Sequence, residues 1–355
     1  MVLSAAPVPP ALEVQSAAHA PTVEVVARAQ TMLRTILDEV GRAYLGPREI
    51  PELILTALLA RGHCLLEGVP GVAKTTLIKT VATAIAGTFK RIQFTPDLLP
   101  SDITGTYVLS NREGGFTLRH GPIFAHVVLG DEINRAPAKT QSALLEAMQE
   151  RQVTIDGETH PLGQPFFVLA TQNPVEQEGT YPLPEAQVDR FLLRIIVPYP
   201  NVEEEIRILR TYAAAPPVAR PVLALENVLW LQSVADAVHV DDEVYAYAVG
   251  LAQYTRNHPR IALGASPRAS LGIVLAARAR ALLQGRGFVI PDDVKRVCQP
   301  VMAHRIIPSA EAEAEGITRE ALVEEAMARV AYRRADARPE PAAHGIAAMV
   351  SDGGR

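Results

Sequence analysis

The stretch Leu65-Leu66-Glu67-Gly68-Val69-Pro70-Gly71-Val72-Ala73-Lys74-Thr75-Thr76 constrains this chain more than any other. An apolar run enters a loop with two glycines and a proline. The loop leads through Lys-Thr into a segment with Leu77, Ile78, Val81, Ala82 and Ile85 at helical spacing. A strand, a loop and a helix in that order aim the unpaired N–H groups of the helix's first turn into the loop, where they attract an anion. The residue types are those of a phosphate-binding loop. Gly68, Val69, Pro70, Gly71, Val72, Ala73 and Thr76 would frame the phosphates, Lys74 would reach the β- and γ-phosphates, and the Thr75 hydroxyl would ligate Mg²⁺. The strict pattern has Gly at position 73. Ala carries a Cβ that restricts φ, so the sequence predicts a loop that accepts a negative φ there. The plainer reading is a Gly/Pro turn before a helix with an incidental lysine.

A second site decides between them. Ala125-His126-Val127-Val128-Leu129-Gly130-Asp131-Glu132 is an apolar strand ending in two acids, which places both at the C-terminal edge of a sheet, where open α/β folds bind ligands. Asp131 would hold Mg²⁺, directly or through water, and Glu132 would orient and polarise the attacking water of a phosphoryl transfer. Three more polar positions follow in order. Asn173 ends the run Val168-Leu169-Ala170-Thr171-Gln172-Asn173 and would place water near the γ-phosphate. Arg190 stands in Asp189-Arg190-Phe191, where it would reach toward a neighbour's nucleotide. Arg268 lies in the first turn of a helix opened by Ser266-Pro267; taken singly, each of the three reads as a solvated or salt-bridged surface residue, and only their joint order along the chain points to a site.

Around these motifs, apolar runs (64–66, 92–94, 124–129, 166–170 and 192–197) alternate with amphipathic segments, a pattern that predicts a parallel sheet covered by helices. Residues 153–159 differ: Val153 and Ile155 alternate with polar residues, and Asp156-Gly157 marks a hairpin turn. After Tyr199-Pro200-Asn201 the chain reads as helix, with starts at Asp241-Asp242, Ser266-Pro267 and Pro291. The predicted organisation is a Pro/Ala-rich arm over 1–22, an α/β domain over 23–201, a helical domain over 202–335 and a tail over 336–355, two domains being what 355 residues lead one to expect.

Composition narrows the function. With 34 Lys+Arg against 39 Asp+Glu the net charge is −5, which gives no general attraction to nucleic acid, and 5% aromatic residues provide no base-stacking platform. Arg278, Arg280 and Arg286 read as a solvated helix face. His120 and His126 read as structural histidines. Cys64 and Cys298 lie far apart among apolar neighbours, as buried thiols of a reducing compartment do. The beginning lacks a basic n-region and a continuous apolar core, and no run approaches the ~18 apolar residues of a membrane span. The expectation is a cytoplasmic protein without a membrane span.

Taken in order, residues 68–75, 129–136 (Leu-Gly-Asp-Glu-Ile-Asn-Arg-Ala), 141–150 (Gln-Ser-Ala-Leu-Leu-Glu-Ala-Met-Gln-Glu), 170–174 (Ala-Thr-Gln-Asn-Pro), 183–191 (Leu-Pro-Glu-Ala-Gln-Val-Asp-Arg-Phe) and 264–269 (Gly-Ala-Ser-Pro-Arg-Ala) closely resemble the MoxR family of AAA+ ATPases. The resemblance covers roughly residues 35–330. It implies an α/β fold: a P-loop AAA+ parallel-sheet ATPase domain followed by a smaller all-helical lid, working as a hexameric ring on ATP with Mg²⁺. It also implies roles: Lys74 and Thr75 as Walker A, Asp131 and Glu132 as Walker B, Asn173 as sensor 1, Arg190 as the arginine finger acting in trans, Arg268 as sensor 2. Adenine contacts are expected around Tyr44-Leu45-Gly46, although Gly46-Pro47-Arg48 stands where relatives more often have Gly-Gln. Family members carry hairpins facing the ring's pore, for which residues 106–118 and 153–159 are the candidates, and act on protein clients with a von Willebrand A-domain partner. The rivals are a nucleotide-gated scaffold with negligible turnover, a DNA-acting AAA+ protein and a magnesium-chelatase-like motor subunit.

Overall fold

Five short strands alternate with helices to form one parallel sheet, as the spacing of the apolar runs predicts. A computed structural model describes residues 20–69, 72–110, 115–173, 180–214 and 217–333. Residues 1–19 of the expected arm, the whole tail over 336–355, Pro70, Gly71, Pro174 and the turn 111–114 lie outside the described residues.

Helix α1 (Val23–Ala43) begins at Thr22, whose hydroxyl caps the N–H of Val25, and turns Val26, Ala29, Leu33, Ile36, Leu37 and Val40 inward. Helix α2 (Glu49–Leu59) precedes strand β1 (Cys64–Glu67), and the loop then enters α3 (Lys74–Ala84). Strand β2 (Phe89–Gln93), short helix α4 (Pro100–Thr104) and the hairpin β3 (Gly105–Ser110) and β4 (Gly115–His120) lead to β5 (Val127–Asp131). Helix α5 (Ala138–Glu150) runs into a second hairpin, β6 (Gln152–Ile155) and β7 (Glu158–Pro161). Its turn residues Asp156 and Gly157 both have positive φ, as the Asp-Gly pair predicts. Strand β8 (Phe167–Gln172), helix α6 (Glu185–Val188) and strand β9 (Leu193–Ile196) complete the sheet, in the order β2-β5-β8-β1-β9 with all pairs parallel.

Successive strand residues point to opposite faces, and each face has its own core. Cys64, Leu66, Val127, Leu129, Phe167 and Leu169 pack on one side with α1, α2 and α3. Leu65, Val128, Val168 and Ala170 pack on the other with α5 and the roots of the two hairpins.

The rest is helical: α7 (Val202–Ala214), α8 (Leu225–Asp236), α9 (Asp242–Arg256), α10 (Pro267–Leu283), α11 (Pro291–Met302), α12 (Ala310–Ala314) and α13 (Arg319–Arg329). It also carries a short ribbon, β10 (Ile261–Leu263) with β11 (Ile307–Pro308), too brief to show as a strand pattern in the sequence. Helix α10 is buried nearly all round, its alanines letting α1, α2, α8, α9 and α11 approach closely. One core therefore runs without a break from the α1–α3 side of the sheet into the lid. The solvated arginine face expected along 276–286 is not formed. Arg286 makes a bidentate pair with the buried Asp293 (2.6 and 2.6 Å), and Arg280 sits 3.7 Å from the same carboxylate. A carboxylate buried on α11 draws both guanidiniums inward because it needs partners there. Among the described residues, no helix is long and apolar enough to cross a membrane.

Candidate functional site

A parallel sheet lines up the carboxyl ends of its strands, and here that edge collects the polar residues the sequence singles out. Glu67 pairs in register with Gln172, and Gln93 with Asp131. Ala73, Lys74 and Thr75 from the start of α3, Asp131 and Glu132 from the end of β5, Thr171 and Asn173 from the end of β8, and Arg91 from β2 line one cavity of about 340 Å³.

The loop that forms its floor is built under steric constraint. A Cβ on Gly68 would come within 2.5 Å of the Val197 carbonyl oxygen, so the chain can pass β9 there only without a side chain. Ala73 has φ +56 and ψ 24, in the left-handed region. The negative φ expected from its methyl group is thus overturned: the turn from loop into α3 needs the left-handed geometry, and Ala adopts it at a cost of about 1–2 kcal/mol. The Lys74 ammonium donates to the Gly68 carbonyl at 2.6 Å, closing the loop across its mouth. Partial burial holds this lysine below its ordinary range, while Asp131, Glu132 and Glu67 pull in the other direction.

The acidic pair is held on every side. Thr171 donates to Asp131 Oδ1 at 2.5 Å and accepts from the Glu132 N–H at 2.9 Å. Arg91 places Nε (2.9 Å) and Nη2 (2.5 Å) on Asp131 Oδ2, and the same Nη2 meets Gln93 Oε1 at 2.6 Å. Gln93 then donates from Nε2 to Glu132 Oε2 (2.8 Å), which Arg135 also approaches at 3.3 Å. Glu132 itself has φ +56, a second non-glycine residue in the left-handed region, and it turns the chain from β5 into a single helical turn over Ile133–Arg135. Ala73 and Glu132 thus place left-handed backbone, each at a cost of about 1–3 kcal/mol, at two corners of the same cavity. Arg91, Gln93 and Thr171 are the residues the motif reading does not single out. The signal that could have found the first two is the two-residue period of β2, which puts Arg91 and Gln93 on one face at the sheet's ligand edge.

Beside this polar cavity lies an apolar one of about 310 Å³, lined by Tyr44, Gly46, Val72, Thr76, Ile208 and Tyr212 among others; Ala73 belongs to both. Tyr44, Leu45 and Gly46, the expected adenine segment, all face it, and Pro47 lies in the same wall. Val69 packs against the sheet core, and Gly68 and Val69 enter the loop ahead of Val72.

Arg190 and Arg268 line neither cavity. Arg190 donates from Nη1 to the Leu145 carbonyl on α5 at 2.8 Å. Arg268, on the first turn of α10, is half-exposed with Nη1 3.9 Å from Asp189 Oδ2. Asp189 is the meeting point of lid and sheet. It accepts from Arg305 Nε at 2.7 Å and stands 3.3–3.4 Å from the Ser266 hydroxyl. Arg305 is nearly fully buried and spends its remaining donors on the carbonyls of Asp189, Phe191, Leu192 and Val301.

The oxygen donors fit Mg²⁺. Among the described residues, no group of three or more His, Cys, Asp or Glu side chains forms a metal cage. One carboxylate and one hydroxyl are instead what this cation takes when substrate phosphates and water supply the other ligands.

Residues 63–193 match the model of the ATPase family associated with various cellular activities (AAA), and residues 253–326 match the AAA lid domain. Chaperone MoxR1 of Mycobacterium tuberculosis is 46% identical over 325 residues, 89% of this chain and 86% of its own. The chain belongs to the MoxR family of AAA+ ATPases. Another relative, the uncharacterized protein YeaC of Bacillus subtilis, is 49% identical over 84% of this chain and 94% of its own length. Protein MoxR of Methylorubrum extorquens is 34% identical over 76% of this chain and 85% of its own. Among solved structures, one from Cytophaga hutchinsonii, provisionally assigned as an ATPase, superposes with a TM-score of 0.83 at 40% identity. It covers 88% of this chain and 98% of that one. The parallel sheet and the helical lid are those of this MoxR-type AAA+ fold.

Proposed function

We propose that this MoxR-family protein binds and hydrolyses ATP, and that a ring of its subunits, a hexamer, remodels or activates a client protein together with a von Willebrand A-domain partner. The observation that carries the reading is the convergence of Lys74, Thr75, Asp131, Glu132, Thr171 and Asn173 on one polar cavity with an apolar cavity adjoining it at Ala73. Phosphates and an adenine need those two environments side by side.

In this reading the backbone N–H groups within residues 68–76, where Pro70 has none to give, and the Lys74 ammonium hold the β- and γ-phosphates. Thr75 and Asp131 hold Mg²⁺, which when bound offsets the charge developing on the transferred phosphoryl group. Glu132 takes up the attacking water and draws on its proton, and Asn173 fixes that water's position. Tyr44, Leu45 and Gly46 hold the adenine. Arg190 and Arg268 stabilise transition-state charge, Arg190 from a neighbouring subunit and Arg268 from the lid. That both stand outside the cavity within one chain supports a site completed by a second copy and by lid movement. With domain limits at 23–201 and 202–335, the first part holds the phosphates and the metal, while the second closes the adenine cavity with Ile208 and Tyr212 and carries Arg268.

The exposed pair Leu109 and Phe116, directly opposite on β3 and β4, supports client contact by the hairpins at the pore, and the name of MoxR1 supports a chaperone-like role. Two buried free thiols, Cys64 and Cys298, fit work in the cytoplasm.

Glu132→Gln tests the reading. ATP turnover is expected to fall by about 10²–10⁴-fold with nucleotide binding retained, and Lys74→Ala to lose nucleotide binding. If the wild type turns over ATP no faster than Glu132→Gln, the remodeller fails and a nucleotide-gated scaffold takes its place. Partners captured on the ATP-loaded Glu132→Gln protein would identify the client.

A further inference from the structure

Arg91 sits where the nucleotide-site reading puts the metal's carboxylate, and its geometry there is that of a competitor. A carboxylate offers about four acceptor positions. On Asp131, Thr171 takes one on Oδ1 at 2.5 Å, and two N–H groups of Arg91 take Oδ2 at 2.9 and 2.5 Å. A divalent cation at ~2.1 Å from either oxygen would lie a few ångströms from the guanidinium, with a repulsion between +2 and +1 that the half-exposed Arg91 can relieve by swinging out. The alternative anchor is present: Gln93 Oε1 accepts from Arg91 Nη2 at 2.6 Å, on the same face of β2. The Lys74 ammonium is hydrogen-bonded to the Gly68 carbonyl and is attracted by Asp131, Glu132 and Glu67 together, so its charge is not committed to Asp131 as that of Arg91 is.

We propose that Arg91 is a built-in counter-ion that competes with the divalent cation for Asp131, so that the site accepts metal together with nucleotide phosphates rather than metal alone. Resting on the nucleotide-site reading above, this makes Arg91 a positioning residue that acts through Asp131. The energetic logic is one of replacement. Phosphates bring the negative charge that a displaced guanidinium can pair with, whereas a bare cation brings only repulsion.

The test is Mn²⁺ binding to the full-length, nucleotide-free protein, followed by electron paramagnetic resonance. Arg91→Gln is expected to bind Mn²⁺ about tenfold more tightly than wild type. Arg91→Lys, which keeps the charge and loses the fork, is expected in between. Adding Asp131→Asn to Arg91→Gln is expected to abolish the gain. In Arg91→Gln the Mg²⁺ concentration needed for half-maximal binding of a fluorescent ADP analogue is expected to fall by much less than this, because the phosphates lose the guanidinium that pairs with them in the wild type; an equal tenfold fall overturns the proposed replacement. Equal Mn²⁺ affinity in wild type and a folded Arg91→Gln overturns the proposal; should Arg91→Gln not fold, unchanged affinity in Arg91→Lys does so. The reading beneath it fails separately: if Lys74→Ala leaves fluorescent ADP binding intact, the cavity is not the nucleotide site, whatever Mn²⁺ does.

Discussion

Ala73 shows how a single residue records the demands of a site. Its left-handed conformation costs about 1–2 kcal/mol, and replacing it with Gly removes that cost while returning about 0.4–1 kcal/mol of entropy to the unfolded chain. Ala73→Gly is therefore expected to be neutral or to stabilise by up to about 1.6 kcal/mol in urea denaturation. A loss above 0.5 kcal/mol would mean that the methyl group makes contacts outweighing the strain. At this scale the candidate site was legible wherever a motif carries chemistry in its spacing: Lys74, Thr75, Asp131, Glu132 and Asn173 all come to one cavity. The φ of Ala73 was not, because loop closure overrides a residue's own preference. Nor were Arg91 and Thr171, because each owes its place to a strand neighbour, Asp131, that lies 40 residues away in the chain.

Among the elements, strands and helices were read well because buried faces enforce their periods, and the Asp-Gly turn because few dipeptides accept two positive φ values. The β10–β11 ribbon escaped because three residues against two give no period to read. How elements are tied together was equally hidden. Arg194 on β9 reaches Glu67 at the end of β1 (2.6 Å) and Glu320 on α13 (2.7 Å), joining the strand that feeds the phosphate loop to the last helix of the lid. All three side chains are largely buried, and removing the guanidinium takes from both carboxylates the cation that hydrogen-bonds them. Arg194→Ala is expected to destabilise the protein by about 3 kcal/mol and to open α13 to trypsin at Arg319 and Arg329. Glu320→Gln, which keeps a hydrogen-bonding group, should cost about 1 kcal/mol. If Arg194→Ala unfolds at the wild-type urea concentration, the bridge is surface decoration and the lid is held by its apolar core alone.

For the molecule as a whole, the unexpected feature is that lid and sheet share a core. Residues 202–335 read as a separate helical unit because composition changes after Asn201, yet α10 packs against α1 and α2 as well as against its own neighbours. Composition reports local habit and says nothing of which buried faces meet. Two buried histidines, His304 where the lid meets the sheet and His63 on the sheet's other face, make the fold sensitive to acid. His63 accepts the Val168 N–H on Nδ1 (3.0 Å) and meets the Met148 carbonyl through Nε2 (3.0 Å), an arrangement that fits the neutral ring only. Burial pushes its pKa down from the ordinary 6.5 to about 4. His304, between α11 and β11, contacts the Phe191 carbonyl through Nε2 at 3.0 Å and is pushed well down by burial and by Arg305. Both rings are neutral in the folded chain where the unfolded chain would protonate, so the unfolded state binds more protons below pH 6.5. Both contributions are complete above pH 6.5 and decline below it; that of His63, about 3 kcal/mol, is lost as pH falls toward 4. Unfolding free energy measured in urea between pH 7 and pH 4.5 should fall steeply. His63→Gln, which offers an acceptor and a donor without a titrating ring, should start lower and fall less. A parallel decline in that variant would assign the acid sensitivity to His304 and to carboxylates such as Glu39, whose pKa is lowered by the Arg220 N–H, and His304→Gln would then flatten what remains.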